Sequence, residues 1–132
     1  MPLPATPALM TDCVVIDQDN RILLVRRGSP PFKGSLALPG GFVNVGETAE
    51  DACRREVREE TNVVVAALVL VGIYSDPDRD PRGHTASVAY LARVDHVEAT
   101  AGDDAEGVEW VADIQQLDLA FDHKLIIEDA LR

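Results

Sequence analysis

The segment from Gly41 to Val63 of this 132-residue chain reads GFVNVGETAEDACRREVREETNV, and it contains the clearest helix of the first half of the sequence. A helix is predicted over Thr48–Thr61. Thr48, with Asp51 three residues later, forms a start that resembles a capping box. Asn62 suits the left-handed backbone conformation in which helices often end.

Three glutamates of this helix lie on the side that an ordinary surface helix keeps apolar. At about 100° per residue, Glu56, Glu59 and Glu60 continue the stripe of small and branched residues. Their mutual repulsion and partial burial cost free energy unless Arg55, a proton, water or a cation compensates. Oxygen ligands at i, i+3 and i+4 suit Mg²⁺ or Mn²⁺. The alternative is an amphipathic helix with glutamates at its rim.

The same segment resembles the Nudix box, which is written G-x5-E-x7-R-E-U-x-E-E-x-G-U with U a bulky aliphatic residue. Eight of the nine fixed positions match at the required spacing: Gly41, Glu47, Arg55, Glu56, Val57, Glu59, Glu60 and Val63. The departure is Asn62, where the family has Gly. Asn is the next best residue for positive φ, so the turn is expected to form.

The resemblance implies an α+β fold, the Nudix α/β/α sandwich with a mixed central sheet and a loop-helix-loop catalytic motif. It also implies a metal site for Mg²⁺, with Mn²⁺ as a substitute. The implied ligands are Glu56, Glu59, Glu60 and a backbone carbonyl of Gly40 or Gly41. Glu47 and Arg55 would pair and brace the loop against the helix, where the alternative is a surface ion pair.

The general base that activates water varies within the Nudix family. Glu59 is the first choice within the box. Asp103, Asp104 and Glu106, in the stretch AGDDAEGVEW, are candidates outside it, and each could instead be an ordinary loop acid.

The composition excludes partners with a negatively charged surface. The chain has 23 acidic and 12 basic residues and a formal charge of −11. Nucleic acids and anionic membranes call for clustered Lys and Arg, so neither is expected to bind. An anionic substrate would need local arginines, a metal or both. Cys13 and Cys53 are predicted to be buried thiols, and MPLPATPALMTD lacks the features of a signal peptide, so a cytoplasmic protein is predicted.

One domain is predicted over residues 1–132, with the Pro-rich residues 1–10 as a flexible arm. Residues 113–118 are predicted to form one helical turn, and residues 122–131 a terminal helix. Because strands outnumber helices in a mixed order, a mixed-sheet sandwich fits better than a doubly wound fold. The predicted strands are Cys13–Asp17, Ile22–Arg26, Leu36–Leu38, Val63–Tyr74 (long and buried), Thr85–Val94 and Gly107–Val111.

Outside the box, three stretches resemble the ADP-ribose pyrophosphatase group: residues 23–43, residues 74–92 and LAFDHKLIIEDAL near the end. This resemblance implies hydrolysis of ADP-ribose to AMP and ribose 5-phosphate, and suggests a homodimer. Arg79 and Arg82, on the turn-rich loop SDPDRDPRGH, and Arg27 could hold phosphate or ribose hydroxyls. No stacking partner for adenine is evident, and His123 is interpreted as packing at the start of the terminal helix.

Two alternatives stay open. One is a Nudix enzyme for an oxidised nucleoside triphosphate, a dinucleoside polyphosphate or a nucleotide sugar. The other is a Nudix-like domain that binds ADP-ribose without cutting it, as in related transcriptional regulators. The intact set of glutamates favours an enzyme.

Overall fold

Seven strands and two helices make up the protein, and the computed structural model describes residues 1–132. The strands are β1 (Ala8–Ile16), β2 (Ile22–Arg27), β3 (Leu36–Ala37), β4 (Gly40–Phe42), β5 (Val69–Tyr74), β6 (Thr85–Arg93) and β7 (Ala105–Val111). The helices are α1 (Ala49–Thr61) and α2 (His123–Ala130). Neither helix is long and apolar enough to cross a membrane.

The strands form one mixed sheet with β1 at its centre. The order is β3-β2-β1-β6-β5, with β4 paired to β1 and β7 paired to β2. The β1–β6 pair is parallel, and the β1–β2, β1–β4 and β5–β6 pairs are antiparallel. The predicted mixed sheet and α+β class are therefore confirmed.

The two helices cover opposite faces of the sheet. Cys53 and Val57 of α1 pack in one apolar cluster with alternate residues of β1, including Cys13 and Val15. Val14 and Ile16, the alternate residues of β1, pack in a second cluster with Ile126 and Ile127 of α2. Because successive residues of a strand point to opposite faces, β1 lies in the middle of a three-layer sandwich.

The long buried strand predicted over Val63–Tyr74 is wrong in its extent and burial. Pairing with β6 begins only at Val69, and β5 lies at the sheet edge with much of its apolar surface exposed. Val63 and Val65 are buried, but through side-chain packing alone. An apolar run cannot distinguish a paired strand from an extended segment that packs only its side chains.

Two smaller predictions also need correction. The arm predicted over residues 1–10 ends at Pro7, because β1 begins at Ala8 and Met10 is buried. Proline lacks the N–H that a ladder needs, so pairing starts directly after the last of these prolines. The segment 113–118 forms a turn rather than a helical turn, and the Asp113 carboxylate accepts the Gln115 N–H at 2.9 Å. This local bond competes with helix formation.

Candidate active site

Helix α1 has the capping residues that the sequence predicts. The Thr48 hydroxyl accepts the Asp51 N–H at 3.1 Å. Asn62 takes the left-handed conformation with φ 60°, and its side-chain amide donates to the Thr100 carbonyl at 2.9 Å. Asn62 therefore forms the turn expected of Gly and, in addition, ties the end of α1 to the loop before β7.

Arg55 uses all five of its N–H donors within the box. Nε and Nη2 form a bidentate pair with Glu47 at 2.7 and 3.0 Å, and Nη2 also donates to the Phe42 carbonyl at 3.0 Å. Nη1 donates to Glu56 at 2.8 Å and to Glu59 at 3.2 Å. Hydrogen bonds from Arg55 lower the pKa of Glu47. Arg55 thus connects the loop before α1 to two glutamates of the helix.

Glu56 and Glu60 face the two glycines that precede the box loop. The Gly40 N–H donates to Glu60 Oε1 at 3.2 Å. A Cβ atom added at Gly41 would lie 2.6 to 2.8 Å from the Glu56 carboxyl atoms, so only glycine permits this approach. Burial, followed by the hydrogen bond and charge of Glu56, raises the pKa of Glu60 to about 9. Without a cation, Glu60 therefore retains its proton at neutral pH.

Glu59 differs from the inward position that the helical projection predicts. Its side chain is 53% exposed, whereas that of Glu56 is 16% exposed. Glu59 bonds to Arg55 and Glu60 bonds to Gly40, so no group of three or more His, Cys, Asp or Glu side chains is arranged to hold a metal ion together. The projection fails because it gives only the direction of a side chain around the helix axis. It does not show whether other segments of the chain cover that side chain.

A cavity of about 150 Å³ opens beside Glu60 and Gly40. It connects the box to residues distant in sequence, and the polar and aromatic side chains that line it include Asp12, Arg27, Arg79, Asp104, Phe121 and His123. Thus Arg27 and Arg79 of the predicted substrate arginines, and Asp104 of the predicted outside acids, lie at one cavity.

The three predicted substrate arginines have different surroundings. Arg79 is buried, with a bidentate pair to Asp122 at 2.9 and 2.7 Å and a bond to the Thr85 hydroxyl at 2.8 Å. It therefore joins the start of β6 to the start of α2 and has few donors left. Arg82 pairs with Asp80 and is partly exposed.

Phenylalanine rings lie beside the two more accessible arginines, Arg27 and Arg82. The Arg27 and Arg82 guanidinium groups lie 5.1 and 5.7 Å from the centre of the Phe121 ring, and Arg82 is 5.1 Å from that of Phe42. Phe32 packs edge-on against Phe121 at 4.9 Å. These residues come from separate parts of the chain, so no local pattern could have grouped them.

The loop that carries the outside acids is held against the end of α1. The Gly102 N–H donates to the Glu60 carbonyl at 3.0 Å, and the Thr100 N–H donates to the Thr61 carbonyl at 2.9 Å. Asp104 reaches the cavity, and its backbone oxygen lies so close to Gly28 that a Cβ atom there would be 2.6 Å away. Asp103 is exposed, and Glu106 lies near Gly28 outside the cavity lining.

Gly102→Ala is expected to detach this loop. The added Cβ atom would lie 1.9 Å from the Glu59 carbonyl oxygen, which belongs to rigid helix backbone. We expect the free energy of unfolding to fall by about 1–3 kcal/mol, measured by urea denaturation. Gly107→Ala is the matched control, because a Cβ atom there meets no atom within 4 Å. Equal stability of the two variants would contradict this contact.

Comparisons with known proteins show the family of this chain. Residues 6–130 match the model of the NUDIX domain, and the chain belongs to the Nudix hydrolase family. It is 50% identical to an ADP-ribose pyrophosphatase of Methanocaldococcus jannaschii over 127 residues, which cover 96% of this chain and 74% of that protein. The prediction of a Nudix enzyme most similar to the ADP-ribose pyrophosphatase group is confirmed.

A transcriptional repressor and a solved ADP-ribose complex are also similar to this chain. The ADPR responsive transcriptional repressor NtrR of Acinetobacter baylyi is 33% identical over 95% of this chain, which spans 53% of the repressor's length. The NUDIX domain of Shewanella oneidensis NrtR, solved in complex with ADP ribose, superposes with a TM-score of 0.89 at 32% identity, covering 96% of this chain and 88% of that one. Catalytic and regulatory proteins therefore share this fold.

Proposed function

We propose that this protein hydrolyses the diphosphate of ADP-ribose to AMP and ribose 5-phosphate with the help of Mg²⁺, for which Mn²⁺ can substitute. The observation that carries this proposal is the cavity where Glu60 of the box meets Arg27 and Phe121 from distant parts of the chain. The pyrophosphatase name of the relative that is 50% identical supports the choice of substrate.

The residues present fit a divalent cation. Burial and the neighbouring Glu56 carboxylate raise the pKa of Glu60, so Glu60 keeps its proton, and the Gly40–Gly41 backbone lies directly against both carboxyls. A cation would replace the proton and relieve the repulsion. We assign Glu56, Glu59, Glu60 and a carbonyl of Gly40 or Gly41 as its ligands. When bound, the cation supplies charge that neutralises the diphosphate and stabilises the transition state.

Arg27 and Arg82 supply the local positive charge that an anionic substrate needs on a chain of net charge −11. We assign both to the phosphates or ribose hydroxyls, together with the buried Arg79, which lines the cavity. The exposed Phe32 and Phe42, with Phe121, offer apolar surface for the adenine ring.

Glu59 is the base that we propose for the attacking water. Its carboxylate is the most exposed of the three, and only its Oε2 atom is bonded to Arg55. The other oxygen is therefore available to water. Asp104, at the cavity, is the proposed alternative outside the box, and Glu106, two residues further along the chain, is the second alternative.

We also propose that the protein works in the cytoplasm. Cys13 and Cys53 are free and buried, as predicted, which fits a reducing compartment. The homodimer implied by the family resemblance stays a prediction.

A hydrolysis assay with Mg²⁺ and identified products tests the proposal. ADP-ribose should yield AMP and ribose 5-phosphate, and chelation of the metal should stop the reaction. Turnover of an oxidised nucleoside triphosphate, a dinucleoside polyphosphate or a nucleotide sugar, without turnover of ADP-ribose, would overturn the substrate. Tight binding of ADP-ribose without any product would favour the regulatory role.

Arg82→Gln is expected to raise the KM for ADP-ribose by about tenfold or more, because a hydrogen bond to a charged group contributes about 1.5–3 kcal/mol. The value of kcat should change less, since Arg82 is assigned to binding. Arg93→Gln is the matched control, because it removes the same charge at the exposed far end of β6. Initial rates at varied substrate concentration measure both constants. A KM equal to that of the R93Q protein would refute the role of Arg82.

A further inference from the structure

The segment from Leu38 to Gly41 carries the backbone that the proposed cation would touch. On one side it meets α1, through the Glu60 bond to Gly40 and the close approach of Glu56 to Gly41. It also meets two buried polar residues that the family motif does not include, Asp12 of β1 and His123 of α2.

His123 bonds directly to this segment. Its Nδ1 atom accepts the Leu38 N–H at 2.9 Å, so Nδ1 carries no proton. The neutral ring must then carry its proton on Nε2, which lies 3.3 Å from Asp12 Oδ1. His123 is 4% exposed and Asp12 is 3% exposed. The tautomer and the orientation of the ring are therefore set by these two partners.

Asp12 supports the segment by direct contact. A Cβ atom added at Gly40 would lie 2.5 Å from Asp12 Oδ1 and 2.3 Å from the Thr11 carbonyl. The carboxylate cannot turn away, because its Oδ2 atom accepts the Ser87 hydroxyl at 2.6 Å and lies 3.6 Å from Arg79 Nη2. Asp12 is therefore held in fixed contact with Gly40, whose N–H donates to Glu60.

We propose that His123 and Asp12 are positioning residues that hold the Gly40–Gly41 backbone in place to bind the catalytic cation. This inference rests on the proposed function only in requiring a divalent cation at Glu56 and Glu60. The cation needs a carbonyl oxygen at a defined place, and His123 restricts the segment at Leu38 while Asp12 restricts it at Gly40. Neither residue is assigned a contact with substrate.

Two amide substitutions at His123 separate its hydrogen bond to Leu38 from its contact with Asp12. In His123→Asn the side-chain oxygen falls near the position of Nδ1 and can still accept the Leu38 N–H. In His123→Gln the amide reaches the position of Nε2 and can meet Asp12, but no acceptor remains for Leu38. We expect H123Q to weaken Mn²⁺ binding by about 10-fold or more and to lower kcat, with KM for ADP-ribose nearly unchanged. We expect H123N to stay within about threefold of the natural protein.

Direct Mn²⁺ binding, followed by electron paramagnetic resonance, is the main measurement and needs no activity. Tyr74→Phe is the control, since it removes a bond of 2.6 Å between β5 and Asp129 of α2 that involves neither His123 nor the Leu38–Gly41 backbone. An Mn²⁺ affinity of H123Q equal to that of the natural protein would overturn the proposal. A loss of Mn²⁺ affinity in H123N and Y74F as large as that in H123Q would also overturn it. If the natural protein binds Mn²⁺ but does not cut ADP-ribose, the substrate is wrong and the comparison of variants still decides the positioning role.

A measurement on the natural protein covers the case in which H123Q does not fold. The ¹⁵N chemical shifts of the His123 ring should identify the tautomer with its proton on Nε2. A scalar coupling across the hydrogen bond should connect Nδ1 to the Leu38 amide. A proton on Nδ1, or the absence of this coupling, would overturn the proposal.

Discussion

Glu60→Gln is expected to slow ADP-ribose hydrolysis by more than about two orders of magnitude while it stabilises the metal-free protein against heat. The activity falls because a carboxylate ligand of the proposed cation is lost. The stability rises because the glutamine cannot ionise beside Glu56, where burial and repulsion make a second negative charge costly. A loss of activity with a gain in stability is the mark of a binding site.

The pH dependence of stability determines the conditions in which E60Q is more stable than the natural protein. The pKa of Glu60 rises from an ordinary value of 4.5 to about 9 in the folded protein. Between these values the folded chain keeps a proton that the unfolded chain has lost, so stability falls as the pH rises. Thermal unfolding in a chelator should therefore show the largest advantage of E60Q near pH 9 and little advantage near pH 4.

In the presence of Mg²⁺, the natural protein should be more stable than E60Q. A ligand that binds only the folded state raises its stability, and E60Q lacks part of the site. Glu128→Gln, at an exposed position of α2, is the control, because it removes a helical glutamate far from the box. Full hydrolysis of ADP-ribose by E60Q, or an equal loss of activity in E128Q, would contradict the assignment of Glu60 as a metal ligand.

Arg55→Lys is expected to lower kcat by about 10-fold or more and the free energy of unfolding by about 1–3 kcal/mol. An ammonium group cannot reproduce the planar fork that holds Glu47 by two bonds. It also cannot reach Glu56 and the Phe42 carbonyl at the same time as Glu47. Chemical denaturation and steady-state kinetics measure the two effects.

Arg54→Lys is the matched control for Arg55. The neighbouring Arg54 is more exposed and bonds to Asp51 and to the Ala66 carbonyl, so the same exchange should change activity little. If R55K and R54K behaved alike, the network around Arg55 would be a surface ion pair, which was the alternative interpretation of the sequence.

Local features of the box could be predicted from the sequence because they depend on residues close together in the chain. The start of α1 at Thr48 and its end at Asn62 followed from capping residues within one helix, whereas the pairing of Arg55 with Glu47 was implied by the resemblance to the Nudix box. Spacing along a helix determines which residues can meet there. The mixed sheet followed from the order of apolar runs, although the limits of β5 did not.

Contacts between distant parts of the chain could not be predicted from such local patterns. Asp12 and His123 are separated by most of the sequence, and the partners of Arg79 lie on the strand β6 and at the start of α2. An acid in the apolar strand β1 was the one signal that could have drawn attention to Asp12. Its partners still could not be named, because many pairings satisfy the same composition.

The glutamates of α1 illustrate the division between sequence and tertiary structure. The spacing of Glu56, Glu59 and Glu60 determined that three acids would share one end of a helix. Only the packed structure decided that Glu60 is held against Gly40 with a raised pKa while Glu59 stays exposed. The physical reason is that helical periodicity determines direction around an axis, whereas burial depends on which other segments cover each side chain.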